Sequence, residues 1–415
     1  MQLSAGASTI RATEKKFRGG THRAVPPRET MARVQPLLAK AGITRIADVT
    51  GLDRIGIPVI MVCRPNSRSL SVSQGKGLTT ETARVSGVME SLELFHAEQI
   101  LSPLKLATYD DLRTNHRVVD VRRLPSVKNS RFHPHLQILW IEGRDIRDSR
   151  TSWIPYECVH ASASSPAPTG SGCFSSTSNG LASGNHMLEA VLHGVCELIE
   201  RDAVTLWGLL SRENRELTRL DLESIDDVSS RFVIDRCVKA GNMVAVWDVT
   251  SDVGLPVFLC RIVERENHSF YSTRSFSGMG CHTTREIALL RALTEAVQSR
   301  LTYISGSRDD LYRHEYESTP DTDAALRAYL VSGTSTRLRN FQDVPTFNHD
   351  SFEEDISAVL ARLSAAGAES VIAVDLSRPD FDLPVVRMVV PGLEGPDGEP
   401  EYVPGDRSRA ISRDS

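Results

Sequence analysis

Apolar positions recur at helical spacing in three long stretches of this chain and crowd into short runs elsewhere. The long stretches predict helices over about Thr80–Gln99, Met187–Leu210 and Thr283–Thr302, with shorter ones over Glu29–Ala41 and Asp350–Ala366. Strand-like runs are ITRIADV, IPVIMVC, HLQILWIEG, MVAVWDVT, VGLPVFLCRIV, SVIAVDLS and LPVVRMVV. SVSQGKGLTTETA reads as a glycine-bearing turn opening onto the first long helix. Residues 304–350, rich in Ser, Asp, Arg and Thr, read as a surface excursion with one or two short helices. The last twenty residues read as a mobile tail. No repeat period stands out. Strands and helices interleave, so the expected class is mixed α/β (α+β).

On a wheel of 100° per residue, each long helix carries one polar stripe beside its apolar side. In the first, Val85, Val88, Met89, Leu92 and Phe95 share the apolar side, and Ser86, Glu90, Glu93 and Ala97 fall together. In the second, Leu188, Val191, Leu192, Val195, Ile199 and Ala203 oppose Glu189, His193, Glu197, Glu200 and Arg201. In the third, Leu289, Leu293, Ala296 and Val297 oppose Arg291, Glu295 and Gln298. Most charged stripes are solvated faces. These are narrow, nearly free of lysine, and lack the alternating Glu and Lys of a wet face. The competing expectation is therefore that the three stripes form one shared site.

Composition narrows the classes. At 415 residues with a net charge of −5, the chain is long enough for a large core and too near neutrality to suggest nucleic acid or an anionic membrane. No apolar run of membrane-spanning length and no signal-peptide core occur, so the expected compartment is the cytoplasm. Seven scattered cysteines without a CxxC pair argue against a zinc ribbon and for buried thiols. His96 and His193 are expected in the core or behind the site.

Clustered carboxylates suit hard cations, and Mg²⁺ takes one or two of them with phosphate oxygens and water. Arg201 and Arg291 would then be phosphate donors. Together these groups would make a nucleoside triphosphate site without a Walker loop. SVSQGKG lacks the glycine that the GxxxxGK spacing demands, although Lys76 could reach a phosphate or simply sit in a turn.

SGVMESLE (SxxxExxE), SNGLASGN followed by CELIER (ExxER) and RALTEAVQSR (ExxQ) stand in order across the chain. Together they resemble the YcaO family of ATP-dependent peptide-backbone-modifying enzymes over about residues 60–395. FRGGTHR, TGLDRIGIPV and GKGLTTETARVSGVMESLELFHAE look like the subgroup encoded beside a TfuA-type protein. The resemblance implies a YcaO-type ATP-binding fold in which the stripes of long helices packed on sheets form the nucleotide site. It implies a basic lead-in segment at 1–59, a catalytic domain at 60–395 and a flexible tail at 396–415.

It further implies Mg²⁺ on Glu90, Glu93, Glu197 and Glu200, and nucleotide contacts from Arg201, Arg291 and Glu295. Lys76, Ser86, Asn185, Glu189 and Gln298 are carried as cofactor-binding positions, and Lys16 or Arg23 as a phosphate contact. No protein nucleophile is expected, because the family's reaction phosphorylates a peptide amide oxygen with ATP. The ending DRSRAISRDS lacks the proline run of azoline-forming members. The preferred expectation is thus a thioamide in a ribosomally made peptide or protein, with a TfuA-like sulfur-delivery partner and a homodimer. Azoline formation with a separate E1-like partner, and an accessory role in ribosomal-protein methylthiolation, stay open.

Overall fold

The computed structural model describes residues 13–266, 274–313, 316, 321–332, 337–396 and 402–414. Helix α1 (Pro27–Val34) precedes strands β1 (Arg45–Asp48), β2 (Val59–Cys63) and β3 (Val72–Lys76), then the long helix α2 (Thr80–Glu98). Next come β4 (Leu104–Ala107), α3 (Tyr109–Asn115), β5 (Ile138–Asp145), β6 (Thr151–Pro155), β7 (Leu181–Ser183) and α4 (Met187–Gly208). Helices α5 (Arg212–Glu216) and α6 (Val228–Lys239) lead to β8 (Asn242–Asp248), β9 (Val257–Glu264), β10 (Phe276–Cys281) and α7 (Arg285–Ser305). The chain closes with α8 (Asp321–Ser332), α9 (Phe352–Ala365), β11 (Ile372–Asp375), β12 (Val385–Val389) and α10 (Asp406–Asp414). The mixed α/β class read from the sequence is what the structure shows.

Two compact units are present. One comprises Pro27–Leu92 with Leu206–Phe347, the other Met1–Pro26, Glu93–Thr205 and Asn348–Asp414.

In the first unit, two antiparallel three-stranded sheets, ordered β1-β2-β3 and β10-β9-β8, share one core. Val59, Met61 and Val72 meet Val246, Phe258 and Cys260 there, with Leu289, Leu293 and Ala296 of α7. Although no repeat shows in the sequence, the plan helix, three-stranded meander, helix occurs twice, as α1-β1-β2-β3-α2 and as α6-β8-β9-β10-α7. Gly75 stands to Ala83 as Gly280 stands to Ala288. The same offset carries Ser86, Glu90 and Glu93 onto Arg291, Glu295 and Gln298.

Glycine is required at both strand positions, because strand and helix backbones touch. A Cβ on Gly75 would lie 2.0 Å from the Ala83 carbonyl oxygen and 2.1 Å from the Gly87 nitrogen. On Gly280 it would lie 2.0 Å from the Ala288 carbonyl oxygen. Backbone cannot give way as a flexible side chain can, so Gly75→Ala is expected to cost about 3 kcal/mol or more. Gly51→Ala, where nothing lies within 4 Å, is the matched control. Urea denaturation of both variants checks this; equal midpoints would contradict the packing argument.

In the second unit, β4-β5-β11-β12-β7 form one antiparallel sheet with β6 paired to β5. The segment before α1 is tied to this unit. The Lys15 Nζ lies 2.5 Å from Asp355, both side chains fully buried, and donates to the His349 carbonyl at 2.9 Å. α9 is capped by Ser351, whose side chain and backbone exchange bonds with Glu354 in a capping box.

The stretch expected to be a mobile tail carries α10 instead, apart from 397–401 and Ser415, which lie outside the described residues. Arg407 forms a two-pronged pair with the fully buried Asp202, at 2.9 and 3.0 Å. Glu394 accepts from Gly405 N, Ser408 N and Tyr402 Oη. Those bonds, rather than an apolar stripe, hold the segment down.

Candidate functional site

The first unit assembles one polar group around Lys76, at the end of β3. Its Nζ lies 2.7 Å from Glu295 Oε2 and 2.9 Å from Gln298 Oε1. Gln298 in turn donates to the Gln74 carbonyl at 3.0 Å, and Met279 N donates to Glu295 Oε1 at 3.3 Å. Lys76 therefore ends a strand, not a turn, and the strand delivers it to α7.

Glu90 is half-buried, and that burial pushes its carboxyl up to about 6. Lys76, Arg308 and a backbone bond at Gln74 pull the other way, while Glu295 adds to the rise. Arg291 lies one turn before Glu295, and its Nε is buried without a hydrogen-bond partner. Ser86, one turn before Glu90, is half-buried. Lys76, Glu90, Glu295 and Gln298 are thus brought together. Sequence reasoning had not singled out Arg308, which sits beyond α7 in the stretch read as a surface excursion.

The second unit holds the remaining candidates. Glu93 accepts from Ser183 N at 2.8 Å and Ser183 Oγ at 2.6 Å. Ser183 lies inside SNGLASGN, so the motif was visible while its bond to Glu93 was not. On α4, Arg201 Nη2 lies 3.5 Å from Glu200 Oε1 and 4.0 Å from Glu197 Oε1. Glu200 is 2% exposed. Such a carboxylate is stable only beside positive charge, which is the condition a metal or a guanidinium meets.

Glu189 is tied to the N-terminal segment. It accepts from Arg23 Nη1 at 3.3 Å and Ala24 N at 2.9 Å, and from Asn185 Nδ2 at 3.3 Å. Of the two basic residues expected near phosphate, Arg23 is therefore bonded to a candidate residue of α4, Glu189. His96 is fully buried, edge-on to Phe95 and Phe381; His193 is half-buried. Six of the seven cysteines are buried and Cys63 is half-buried. Burial pushes the Cys237 thiol up to about 12, far from an activated nucleophile.

Among the described residues no three acidic, cysteine or histidine side chains already form a metal cage. The donor chemistry nevertheless fits magnesium with a nucleotide. Hard carboxylate oxygens are present, the Arg291 Nε is an uncommitted donor, and Mg²⁺ draws most ligands from phosphate and water. No helix among the described residues is long and apolar enough to cross a membrane.

Comparison with known proteins defines the class. The family model described as YcaO cyclodehydratase, ATP- and Mg²⁺-binding, matches residues 74–394. The chain belongs to the YcaO family, whose members are ATP- and Mg²⁺-binding peptide-modifying enzymes. A protein from the tfuA 3′ region of Rhizobium leguminosarum bv. trifolii is 38% identical, covering 90% of this chain and 88% of its own. YcaO from Methanopyrus kandleri bound with AMPPCP and Mg²⁺ superposes with a TM-score of 0.70 at 22% identity, covering 92% of this chain and 95% of that one. A heterocyclase in complex with substrate and cofactor gives a TM-score of 0.76 at 22% identity, covering 94% and 54%. At that identity, the two structures speak for the fold.

Proposed function

We propose that this chain activates a peptide backbone amide by ATP-dependent O-phosphorylation and replaces the amide oxygen with sulfur. The observation that carries the thioamide reading is the likeness, over nine-tenths of this chain, to a protein encoded in a tfuA 3′ region. That context supports a TfuA-like protein as the sulfur-delivery partner; a cytoplasmic homodimer completes the proposal.

In this reading Glu90, Glu93, Glu197 and Glu200 hold Mg²⁺. Lys76, Arg201 and Arg291 meet phosphate oxygens, while Ser86, Asn185, Glu189, Glu295 and Gln298 orient those groups. Bound magnesium supplies charge neutralisation on the transferring phosphoryl group. Ser183 holds the Glu93 carboxylate by two bonds, and Arg201 sits against both α4 carboxylates. These contacts fix the direction of each acid before the nucleotide arrives, which is positioning rather than covalent catalysis.

Hydrosulfide adds its sulfur to the amide carbon, opening the C=O bond onto oxygen. That oxygen takes the γ-phosphoryl group with departure of ADP. The C–O bond then breaks, the sulfur proton leaves, C=S forms, and inorganic phosphate carries away the amide oxygen and a proton.

The family description as cyclodehydratase favours a second reading, azoline formation from a substrate Cys, Ser or Thr with a separate E1-like partner. Intact mass of a peptide co-expressed with the enzyme separates the two. Exchange of oxygen for sulfur adds about 16 Da, and cyclodehydration removes about 18 Da. An unmodified peptide, with ATP bound but not turned over, would instead leave an accessory role.

A further inference from the structure

Strand β12 reads Val-Val-Arg-Met-Val, and its Arg387 is 3% exposed. A guanidinium in that setting demands compensation. Its Nη2 donates to the Thr177 carbonyl at 2.5 Å, but Nε and Nη1 have no hydrogen-bond partner. No carboxylate lies within ion-pair distance among the described residues; the acid that acts on it electrostatically is Glu197, alongside the Cys158 thiol. Burial lowers the Arg387 guanidinium to about 10, so it keeps its charge at neutral pH.

Arg387 lines a cavity of about 50 Å³ with Cys158, Ser175, Thr177, Asn179 and Glu394. The Glu394 carboxylate is taken up by Gly405 N, Ser408 N and Tyr402 Oη. Asn179 Oδ1 is also buried without a partner, and flipping that amide would present its NH₂ as a donor instead. Burial pushes the Cys158 thiol up, so it stays protonated and can donate. The space suits a few waters or one small ion, since a single water needs about 10–15 Å³. A nucleotide does not fit.

We propose that Arg387 and this cavity form a subsite for a small monovalent anion, filled by hydrosulfide during turnover. The anion site stands on the idle guanidinium and the cavity alone; its assignment to hydrosulfide rests on the thioamide reading above. One buried cation without its anion becomes a paired one when the ligand enters. Hydrosulfide matches a halide in charge and size, and Arg387 feels the charge of Glu197, a proposed magnesium ligand.

The test uses sodium bromide and sodium hydrosulfide as probes on the full chain. Bromide-soaked crystals should show anomalous density beside the Arg387 guanidinium, absent in Arg387→Met. Calorimetric titration should find bromide and hydrosulfide competing for one site, each bound at least about tenfold more weakly by Arg387→Met. Should that variant fail to fold, Ser175→Leu fills the cavity while keeping the arginine, and should abolish both signals. No bromide density and no binding would overturn the subsite. Bromide binding that hydrosulfide cannot displace would overturn its assignment to sulfur. A co-expressed peptide that never gains mass would defeat the thioamide reading without touching the bromide result.

Discussion

Glu200→Ala is expected to lower Mg²⁺-dependent ATP turnover by about 10²–10³-fold, the loss typical of removing one preorganised charge-stabilising group. Glu200 is buried on α4, and Arg201 Nη2 lies 3.5 Å from its carboxylate. In the proposed site alanine would remove a magnesium ligand, while Val195, Ile199 and Ala203 on the apolar side keep their packing. Turnover should therefore fall without a matching fall in stability. Glu90→Ala should behave alike, because Glu90 lies in the field of Lys76 and Arg308 and its loss leaves the buried Val88 and Leu92 of α2 in place. ADP release with and without magnesium, read beside circular dichroism and melting curves, decides the matter. Normal turnover in both variants would remove these carboxylates from the site.

The helices that carry this site were legible because their apolar sides repeat at 3.6 residues and their polar stripes do not alternate in sign. Thr80, Met187 and the third helix begin within two residues of where the pattern places them. The strands β5, β8 and β9 were legible as apolar runs, whereas β10, reading Phe-Ser-Gly-Met-Gly-Cys, was not. Nor was β3: Val72–Lys76 contains Ser, Gln and Gly, which read as a turn, and its strand form comes from pairing with β2, with Gly75 packed closely on Ala83 and Gly87. β7 is three residues, too short for any period. α10 has no apolar stripe, and its order comes from Arg407 on the distant Asp202 and three bonds to Glu394, none of which a periodicity reveals.

The candidate residues were legible by type but not by partner. No spacing rule joins Ser183 to Glu93, or Lys76 to Glu295 and Gln298. Arg387 did leave a signal, one charge in an otherwise apolar strand, which is the same anomaly that the acids on α2 present. The twofold plan of the first unit explains why two of the motifs share a form. ExxE on α2 and ExxQ on α7 sit at equivalent distances after a glycine that lets strand and helix touch. Gln298 in place of a second acid leaves that half with one negative charge, which Lys76 meets at Glu295.

Lys15→Met should produce the largest stability loss in the chain's N-terminal segment, about 3–5 kcal/mol. Lys15 and Asp355 are both fully enclosed, so removing the ammonium takes the buried cation from a carboxylate that also meets His349 Nδ1 at 2.9 Å. Paired replacement, Lys15→Met with Asp355→Leu, should recover most of the loss, because two apolar groups need no solvation while one orphaned charge does. The consequence extends to the site, since the same segment brings Arg23 and Ala24 N to Glu189. Hydrogen exchange at residues 15–24 should accelerate in the single variant and return toward the parent in the double. A single variant within about 1 kcal/mol of the parent by urea denaturation, a surface pair's range, would show that the ion pair does not anchor the segment.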